Sequence, residues 1–351
     1  MTKRRLFIQS SLALGATTYF SQFALGKTPH SDNNLSKIKP KKLEKGATIG
    51  VIAPGYAVKK EVLETSLDAL KKMGFMPVHT QRIIGNYGYF SNTDEERAAD
   101  IMAMFKNPEI DGILCARGGY GCTRILHLLD YDAIQNNPKV LIGFSDVTAL
   151  LNAIYKKTGL VGFHGPVGST LDDAYSQEYL KKVVMHNQQH TTLKNVVLTK
   201  VEMLSDTTYE RYTITAGTAT GELIGGSLTL VTALIGTPYE LDFTDKLVFL
   251  EDIEERPYRI DRMLTQLLST STFNKAKGIF FGVCIGCDTP KDNRNFTLKE
   301  VILDRISPMG IPAAYGFSFG HVPNNFTLPT GIMAQLDADQ LSLHLLENAV
   351  V

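Results

Sequence analysis

The chain has no tryptophan, only four cysteines among 351 residues, and no surplus of charge of either sign. Each shortage excludes something. Four cysteines in a chain this long do not make a disulfide-stapled scaffold. The 36 basic residues balance 36 acidic ones, which argues against nucleic acid or an anionic membrane as the main partner. No run of about 18 uninterrupted apolar residues occurs, so nothing reads as a membrane-spanning helix. No internal repeat is present either. What the chain does have is 44% hydrophobic and 21% charged residues, enough to bury a sizeable core. Its length predicts two domains or one large one.

The N-terminus stands apart. Lys3-Arg4-Arg5 precede Leu6-Phe7-Ile8 and a mostly apolar stretch from Leu12 to Phe20, and Ala24-Leu25-Gly26 supplies small residues for a cut. A basic head, a short apolar middle and small residues at its end describe a secretory signal peptide over residues 1–26. The paired arginines followed by Leu-Phe-Ile resemble the twin-arginine export signal. No cysteine lies near the cut, which argues against a lipoprotein, and the apolar run is short for an uncut anchor. Without residues 1–26 the chain has 33 basic residues against 36 acidic, about −3, and still no basic face. Residues 27–46, with six lysines and the run His30-Ser31-Asp32-Asn33-Asn34, read as a polar linker.

From Ala47 short apolar runs alternate with helical patterns, the signature of βα units around a parallel sheet. Strands are expected at Thr48–Ala53, Met76–His79, Gly112–Cys115, Val140–Ile142 and Leu160–Phe163. Helices are expected at Lys60–Met73, from the capping box at Thr93 through Phe105, from the glycine loop to Leu129, and at Asp146–Lys157. Past Pro166 the pattern breaks, and residues 170–210 carry few periodic signals. From Gly221 the chain turns to glycine, threonine and β-branched residues, with strands expected at Gly221–Gly226, Leu247–Leu250 and Gly278–Val283 and one clear helix at Arg259–Leu268. The expected organisation is an N-terminal parallel-sheet α/β domain over 47–167, a connecting segment over 168–212 and a smaller β-rich domain over 213–340.

The sharpest local feature is Val140-Leu-Ile-Gly-Phe-Ser-Asp-Val-Thr148. A buried strand ends at Gly143, Ser145 sits in the turn, and a helix starts at once. Such a turn pushes a hydroxyl out at the carboxyl edge of a sheet, where open α/β folds bind ligands. The helix N-terminus beneath it offers unpaired N–H groups to a developing oxyanion. Val147 stands where the hydrolase elbow has its second glycine, and Ser145 reads equally well as a plain N-cap. A nucleophilic serine needs a base. Two of the eight histidines lie in glycine-rich turns after apolar runs, His164 in Gly162-Phe-His-Gly-Pro166 and His321 in Phe317-Ser-Phe-Gly-His321, and pattern alone does not choose between them. For the orienting acid, Glu251-Asp252 follows the strand Leu247–Leu250, although a surface pairing with Arg256, Arg259 or Arg262 explains it too. Arg117-Gly-Gly-Tyr-Gly121 is a glycine loop able to present backbone donors; it lacks the Gly-Lys-Ser/Thr ending of a phosphate loop. Cys284-Ile-Gly-Cys287 has no further ligands at zinc spacing and reads as a buried strand-end pair. Cys115 and Cys122 flank the glycine loop without a neighbouring histidine to activate them. His186 and His190, four apart, have no acidic residue in a metalloprotease pattern and read as a solvated helix end.

Taken in order, Arg117-Gly-Gly-Tyr-Gly121, Gly143-Phe-Ser-Asp-Val-Thr148, Gly225-Gly226, Leu234-Ile-Gly-Thr-Pro238, Leu250-Glu-Asp-Ile253 with Arg259-Ile-Asp-Arg-Met-Leu264, and Phe319-Gly-His321 resemble the motifs of the LD-carboxypeptidases, serine peptidases typified by muramoyltetrapeptide carboxypeptidase. The resemblance covers roughly residues 47–335. It implies Ser145 as nucleophile, Glu251 as orienting acid and His321 as base, with His164 packing behind the site. It also implies an oxyanion hole from the backbone N–H of Asp146 and Gly119, a site in the cleft between the domains, and a homodimer. The implied reaction releases the terminal D-alanine of peptidoglycan tetrapeptides with no metal or organic cofactor. Arg117 and Tyr120 are candidates by position for holding the D-alanine carboxylate. Familiar members of the family are cytoplasmic, whereas this N-terminus implies export to the periplasm or cell envelope. Three other readings compete: a microcin C immunity-type peptidase acting on aminoacyl-nucleotide analogues, for which an adenine-binding aromatic surface is needed and tryptophan is absent; a non-catalytic muropeptide-binding protein; and a nucleotide-binding α/β protein resting only on the glycine loop.

Overall fold

Short apolar runs alternating with amphipathic helices build the first sheet. The computed structural model describes residues 36–199, 207–288 and 294–351, all in one compact unit. The expected signal peptide over 1–26, with residues 27–35 and His30, lies outside the described residues. Strands β1 (Thr48–Ile52), β2 (Met76–His79), β3 (Gly112–Cys115), β4 (Val140–Gly143) and β5 (Phe163–His164) run parallel in the spatial order β2-β1-β3-β4-β5. The chain therefore reverses its direction of growth at β1 and β3, and in open α/β sheets ligands bind beside that point, at the carboxyl ends of the strands. The central strands β3 and β4 are buried throughout, as strands covered by helices on both faces must be. Helices Lys60–Lys72, Asp94–Lys106 and Val147–Thr158 supply that cover. The expected capping box is formed: the Thr93 hydroxyl accepts from the Glu96 N–H, and Glu96 accepts from the Thr93 N–H.

The remaining strands are β6 (Thr191–Leu193), β7 (Tyr212–Thr215), β8 (Thr218–Ser227), β9 (Lys246–Glu251), β10 (Gly278–Gly282), β11 (Ala313–Phe317), β12 (Leu328–Pro329), β13 (Met333–Asp337) and β14 (Ser342–Leu345). All but β12 form an eight-stranded sheet in the order β6-β14-β13-β8-β9-β10-β11-β7, whose middle, β8 to β11, is parallel. Strand β12 leaves its neighbours and pairs antiparallel with β5 of the first sheet. The two halves also share one apolar cluster, in which Val51, Leu114 and Phe163 of the first sheet join Phe249, Phe280 and Phe317 of the second.

Several local expectations change. The connecting segment contains a helix, Ala174–Val184, with Asp173 accepting from the Ser176 N–H as its cap, and then β6. The helix expected to run to Leu129 is a single turn, Cys122–Ile125, followed by a 3₁₀ turn, because Asp130 caps a separate helix at Tyr131–Asn136. A further helix, Leu298–Ile306, starts with a Thr297–Glu300 capping box. Part of the expected linker is built in: Leu43 is buried, Ile38 bridges Leu160, and Lys37 and Lys39 pair with Glu347. That bridge occupies the start of the strand expected at Leu160–Phe163. His186 and His190 are exposed beyond the last helical turn at Val184, so they share no helix face, and no metal-binding cluster occurs among the described residues.

Candidate active site

Ser145 lies between β4 and helix Val147–Thr158, with a left-handed φ of +62°. A residue with a side chain holds that conformation only where its surroundings enforce it, and such strain gathers at functional turns. The N-cap position belongs to Asp146, and no side chain caps that helix. Ser145 is thus not the N-cap, and its hydroxyl is directed elsewhere: Ser145 Oγ is 3.0 Å from His321 Nε2. The other ring nitrogen, Nδ1, is 2.7 Å from Glu251 Oε2. A carboxylate only accepts hydrogen bonds, so Nδ1 carries the proton and donates to Glu251, leaving Nε2 to accept from the serine hydroxyl. The three residues come from the ends of different strands in different sheets. Ser145 follows β4, Glu251 ends β9, and His321 follows β11.

The environment sets the charges. Glu251 is fully buried, and the His321 side chain is only 16% exposed. Burial alone raises the Glu251 pKa, but the charge and hydrogen bond of His321 outweigh it and hold the carboxyl below its usual value. Burial likewise pulls the imidazole down, and the Glu251 charge and hydrogen bond overcome it, leaving His321 above its usual value. Phe144 packs its edge against the imidazole at 4.9 Å between centroids. Gly320 is required here, since a Cβ would lie 2.5 Å from Glu251 Oε2. Asp252 accepts from the Thr229 N–H and hydroxyl, both at 2.8 Å, and its charge adds to that of Glu251 in raising His321. None of Arg256, Arg259 and Arg262 pairs with Glu251, whose ionic partner is His321.

His164 is the other turn histidine, and the structure removes it as a base. It is 1% exposed, ringed by Phe144, Phe249 and Phe319, and neither of its nitrogens has a hydrogen-bond partner among the described residues. Burial pushes its pKa down to about 4, so it stays neutral and packs behind Phe144 and the Glu251 end of the hydrogen-bonded chain. Cys115, Cys122, Cys284 and Cys287 are buried free thiols, and burial raises the pKa of Cys115 and Cys122, which disfavours nucleophilic thiolates.

The glycine loop sits directly over the serine. A Cβ on Gly118 would fall 2.9 Å from Ser145 Cβ. Asp146 pins this loop, accepting from the Cys122 N–H at 2.8 Å, while its carboxyl pKa is raised by burial and opposed by those N–H groups. Arg97, buried to 2% exposure, braces the same loop by donating to Gly121 O at 3.2 Å and to Pro54 O. The N–H groups of Asp146 and Gly119 donate to no other group among the described residues. Arg117 donates to Ala57 O at 3.3 Å, lies 5.5 Å above the Tyr56 ring, and has no carboxylate partner among the described residues. Tyr120 is 42% exposed beside it. The bracing carboxylate of Asp146 and the guanidinium of Arg97 escape sequence reasoning because both act across the fold. Tyr56 left one signal, its place directly after the first strand's carboxyl end.

Residues 49–165 match the N-terminal domain of the LD-carboxypeptidases, and residues 220–336 match their C-terminal domain. The chain belongs to the LD-carboxypeptidase family. It is thereby an enzyme of the serine carboxypeptidase class. A relative from Bacillus subtilis, described as a probable murein peptide carboxypeptidase, is 38% identical over 304 residues, covering 85% of this chain and 91% of the relative. A solved muramoyltetrapeptide carboxypeptidase from Oxalobacter formigenes superimposes with a TM-score of 0.71 at 28% identity, over 85% of this chain and 98% of that one. The microcin C7 self-immunity protein of Escherichia coli is 28% identical over 86% of this chain and 94% of its own length. Its solved structure gives a TM-score of 0.80 at 25% identity, over 90% of this chain and all of that one. In this family member the glycine loop, the serine turn and the Glu–His pair therefore lie within regions shared with the family.

Proposed function

We propose that this enzyme releases the terminal D-alanine from peptidoglycan tetrapeptides by cleaving the preceding L,D-peptide bond, with Ser145 as nucleophile, His321 as general base and Glu251 as its orienting acid. The observation that carries the reading is the continuous relay of 2.7 and 3.0 Å hydrogen bonds from a buried carboxylate to an elbow serine. Ser145 Oγ attacks the carbonyl carbon while its proton passes to His321 Nε2. The oxyanion so formed accepts from the N–H groups of Asp146 and Gly119, and Glu251 steadies the imidazolium. The intermediate collapses as His321 protonates the D-alanine nitrogen, leaving an acyl-enzyme on Ser145. Water, deprotonated by His321, then attacks the ester, and the proton returns to Ser145 as the shortened peptide leaves. Arg117, a cation with no carboxylate partner beside the serine loop, is suited to hold the D-alanine carboxylate, with Tyr120 next to it. No step requires a metal or organic cofactor.

The test is D-alanine release from a muramyl tetrapeptide, followed by mass spectrometry with the wild type and Ser145→Ala. Release by the wild type alone supports the reaction and its nucleophile; equal release by both sinks the triad. Silence from both would favour the second reading, hydrolysis of aminoacyl-nucleotide analogues. That reading draws on the microcin C7 self-immunity protein, whose solved complexes include one with aspartyl sulfamoyl adenosine. We also propose export to the periplasm or envelope through the 1–26 segment, and a homodimer. Cell fractionation finding only the uncut chain in the cytosol would overturn the first, and light scattering at the monomer mass the second.

A further inference from the structure

A second cation stands at the end of the molecule that carries the triad. Strand β7 runs antiparallel to β11. Its start, with Arg211 just before it, therefore lies beside the carboxyl end of β11, from which the chain continues to His321. Arg211 Nε donates to Gly316 O at 2.9 Å, and Nη2 donates to Ser318 Oγ at 3.2 Å. These bonds fix the guanidinium and use two of its five N–H donors. No acidic residue pairs with it among the described residues. Burial lowers its pKa, and the one opposing influence is the Tyr175 hydroxyl rather than a carboxylate. A cation partly withdrawn from water and left without an anion is costly, and a ligand that brings the anion recovers that cost.

The surroundings narrow the ligand. Arg211 lines a small cavity of about 60 Å³ with Ser318, Val322 and Asn324, and Leu198 and Val283 give it apolar walls. Ser318 and Val322 bracket His321 in the chain, so the turn that carries the base is also a wall of the cavity. Val283 follows β10, the strand between those that lead to Glu251 and His321. The planar fork of a guanidinium matches a carboxylate, and the apolar walls suit the methylenes of an aliphatic chain bearing one. Arg117 belongs to the first sheet, on the loop after β3, and serves the D-alanine carboxylate in the reading above. Arg211 belongs to the second sheet and is left for a different carboxylate.

We infer that the Arg211 cavity is a carboxylate subsite for the acyl part of the peptide, the part that stays on Ser145 after D-alanine leaves. This rests on the peptidoglycan reading above and names a substrate contact which that reading leaves unassigned. Two groups could supply the carboxylate: the side chain of the third residue where that is diaminopimelate rather than lysine, or the α-carboxylate of an isoglutamyl second residue.

Calorimetry on Ser145→Ala uses the tripeptide that remains once D-alanine is gone, so the carboxylate assigned to Arg117 is absent. Four forms are compared, with diaminopimelate or lysine third and isoglutamate or isoglutamine second. Losing the carboxylate at one of the two positions weakens binding at least about tenfold, as expected for a charge-assisted pair, and that position names the source. Adding Arg211→Gln, which keeps a donor for Gly316 O without the charge, brings this ratio to near one, while Arg211→Lys retains part of it. A ratio of affinities within one variant is unaffected by the fraction that is folded. Equal binding of all four forms overturns the inference, as does a ratio that persists in Arg211→Gln. An effect of Arg211→Gln confined to the tetrapeptide also overturns it, because the anion would then be the D-alanine carboxylate. Normal D-alanine release by the wild type with equal affinities would remove the subsite and spare the reaction. Absence of release with carboxylate-dependent binding intact would remove the reaction and spare the subsite.

Discussion

Ser145 holds a backbone conformation that its own side chain disfavours, and the hydrogen bond from its hydroxyl to His321 shows what that conformation achieves. Ser145→Ala and His321→Ala are each expected to lose on the order of 10⁴-fold or more in kcat, with the unfolding midpoint little changed, as judged by initial rates and thermal unfolding. Glu251→Gln replaces the acceptor that fixes the imidazole tautomer, and a loss of roughly 10⁴-fold is expected from the equivalent change in other triads. The raised pKa of His321 has a definite sign in the pH profile. Only the neutral imidazole accepts the serine proton, so the acid limb of kcat/KM lies above the usual histidine value of 6.5. Removing the Glu251 charge takes away the main influence holding it there, so an NMR titration of His321 in Glu251→Gln should move downward; an upward or absent shift contradicts the pairing. The same pair bears on stability. The depressed Glu251 contributes above its unfolded value of 4.5 and loses this as pH falls through its folded pKa. The raised His321 contributes below 6.5 and loses this as pH rises through its folded pKa. Stabilisation by the pair is therefore greatest between those two values, and denaturant midpoints measured across pH should show Glu251→Gln flattening that rise.

At the scale of elements, the decisive contact is between helix Val147–Thr158, which follows the serine, and strand β8 of the other sheet. Asn152 Nδ2 donates to Gly225 O at 3.0 Å, and the Ser227 N–H donates to Thr148 Oγ1 at 3.0 Å. Gly226 permits this approach: its φ is +131°, and a Cβ there would lie 2.4 Å from the Thr148 methyl. Gly226→Ala must adopt a disfavoured backbone and push the strand off the helix, which is expected to destabilise by about 1–3 kcal/mol. Because the serine rides on that helix and its partners on that sheet, kcat should fall by about 10²-fold as well. Denaturant unfolding and initial rates measure the two effects; full activity would mean the triad is aligned by other contacts. The elements themselves were largely legible. Alternating apolar runs marked β1 to β4, and Thr93 with Glu96 marked a helix start. The single-turn break after Ile125 was not, because Asp130 as a cap and Asp130 as a surface carboxylate look alike in sequence. Helix Ala174–Val184 carries the signal too, its buried Ser176, Tyr179, Leu180, Val183 and Val184 recurring at helical spacing behind the Asp173 cap, but over too few residues to stand out from the polar segment around it.

For the whole molecule, the interlocked strands make the halves interdependent. Strand β12 carries C-terminal residues into the first sheet, and Gly331 donates back to Leu223 at 2.6 Å while Thr330 donates to Gly162 at 2.8 Å. With an apolar cluster common to both sheets, neither half keeps its core alone. Scanning calorimetry is expected to give one cooperative transition, and two separated transitions would show independent domains. What the sequence determined by itself was the local part: the strand–serine–helix turn, the glycine loop, the acid at a strand end and the histidine after Phe-Gly, each fixed by neighbours within a few residues. The resemblance to a family then linked those pieces in order. Residue pattern left His164 and His321 open and the resemblance pointed to His321; only tertiary structure gives the physical reason, because it depends on which turn meets Ser145 across 176 residues of sequence separation and which is sealed among phenylalanines. It alone also gathered the rings of Tyr56, Tyr89 and Tyr120, which come from the loops after β1, β2 and β3 and are neighbours only because the parallel sheet sets the ends of those strands side by side.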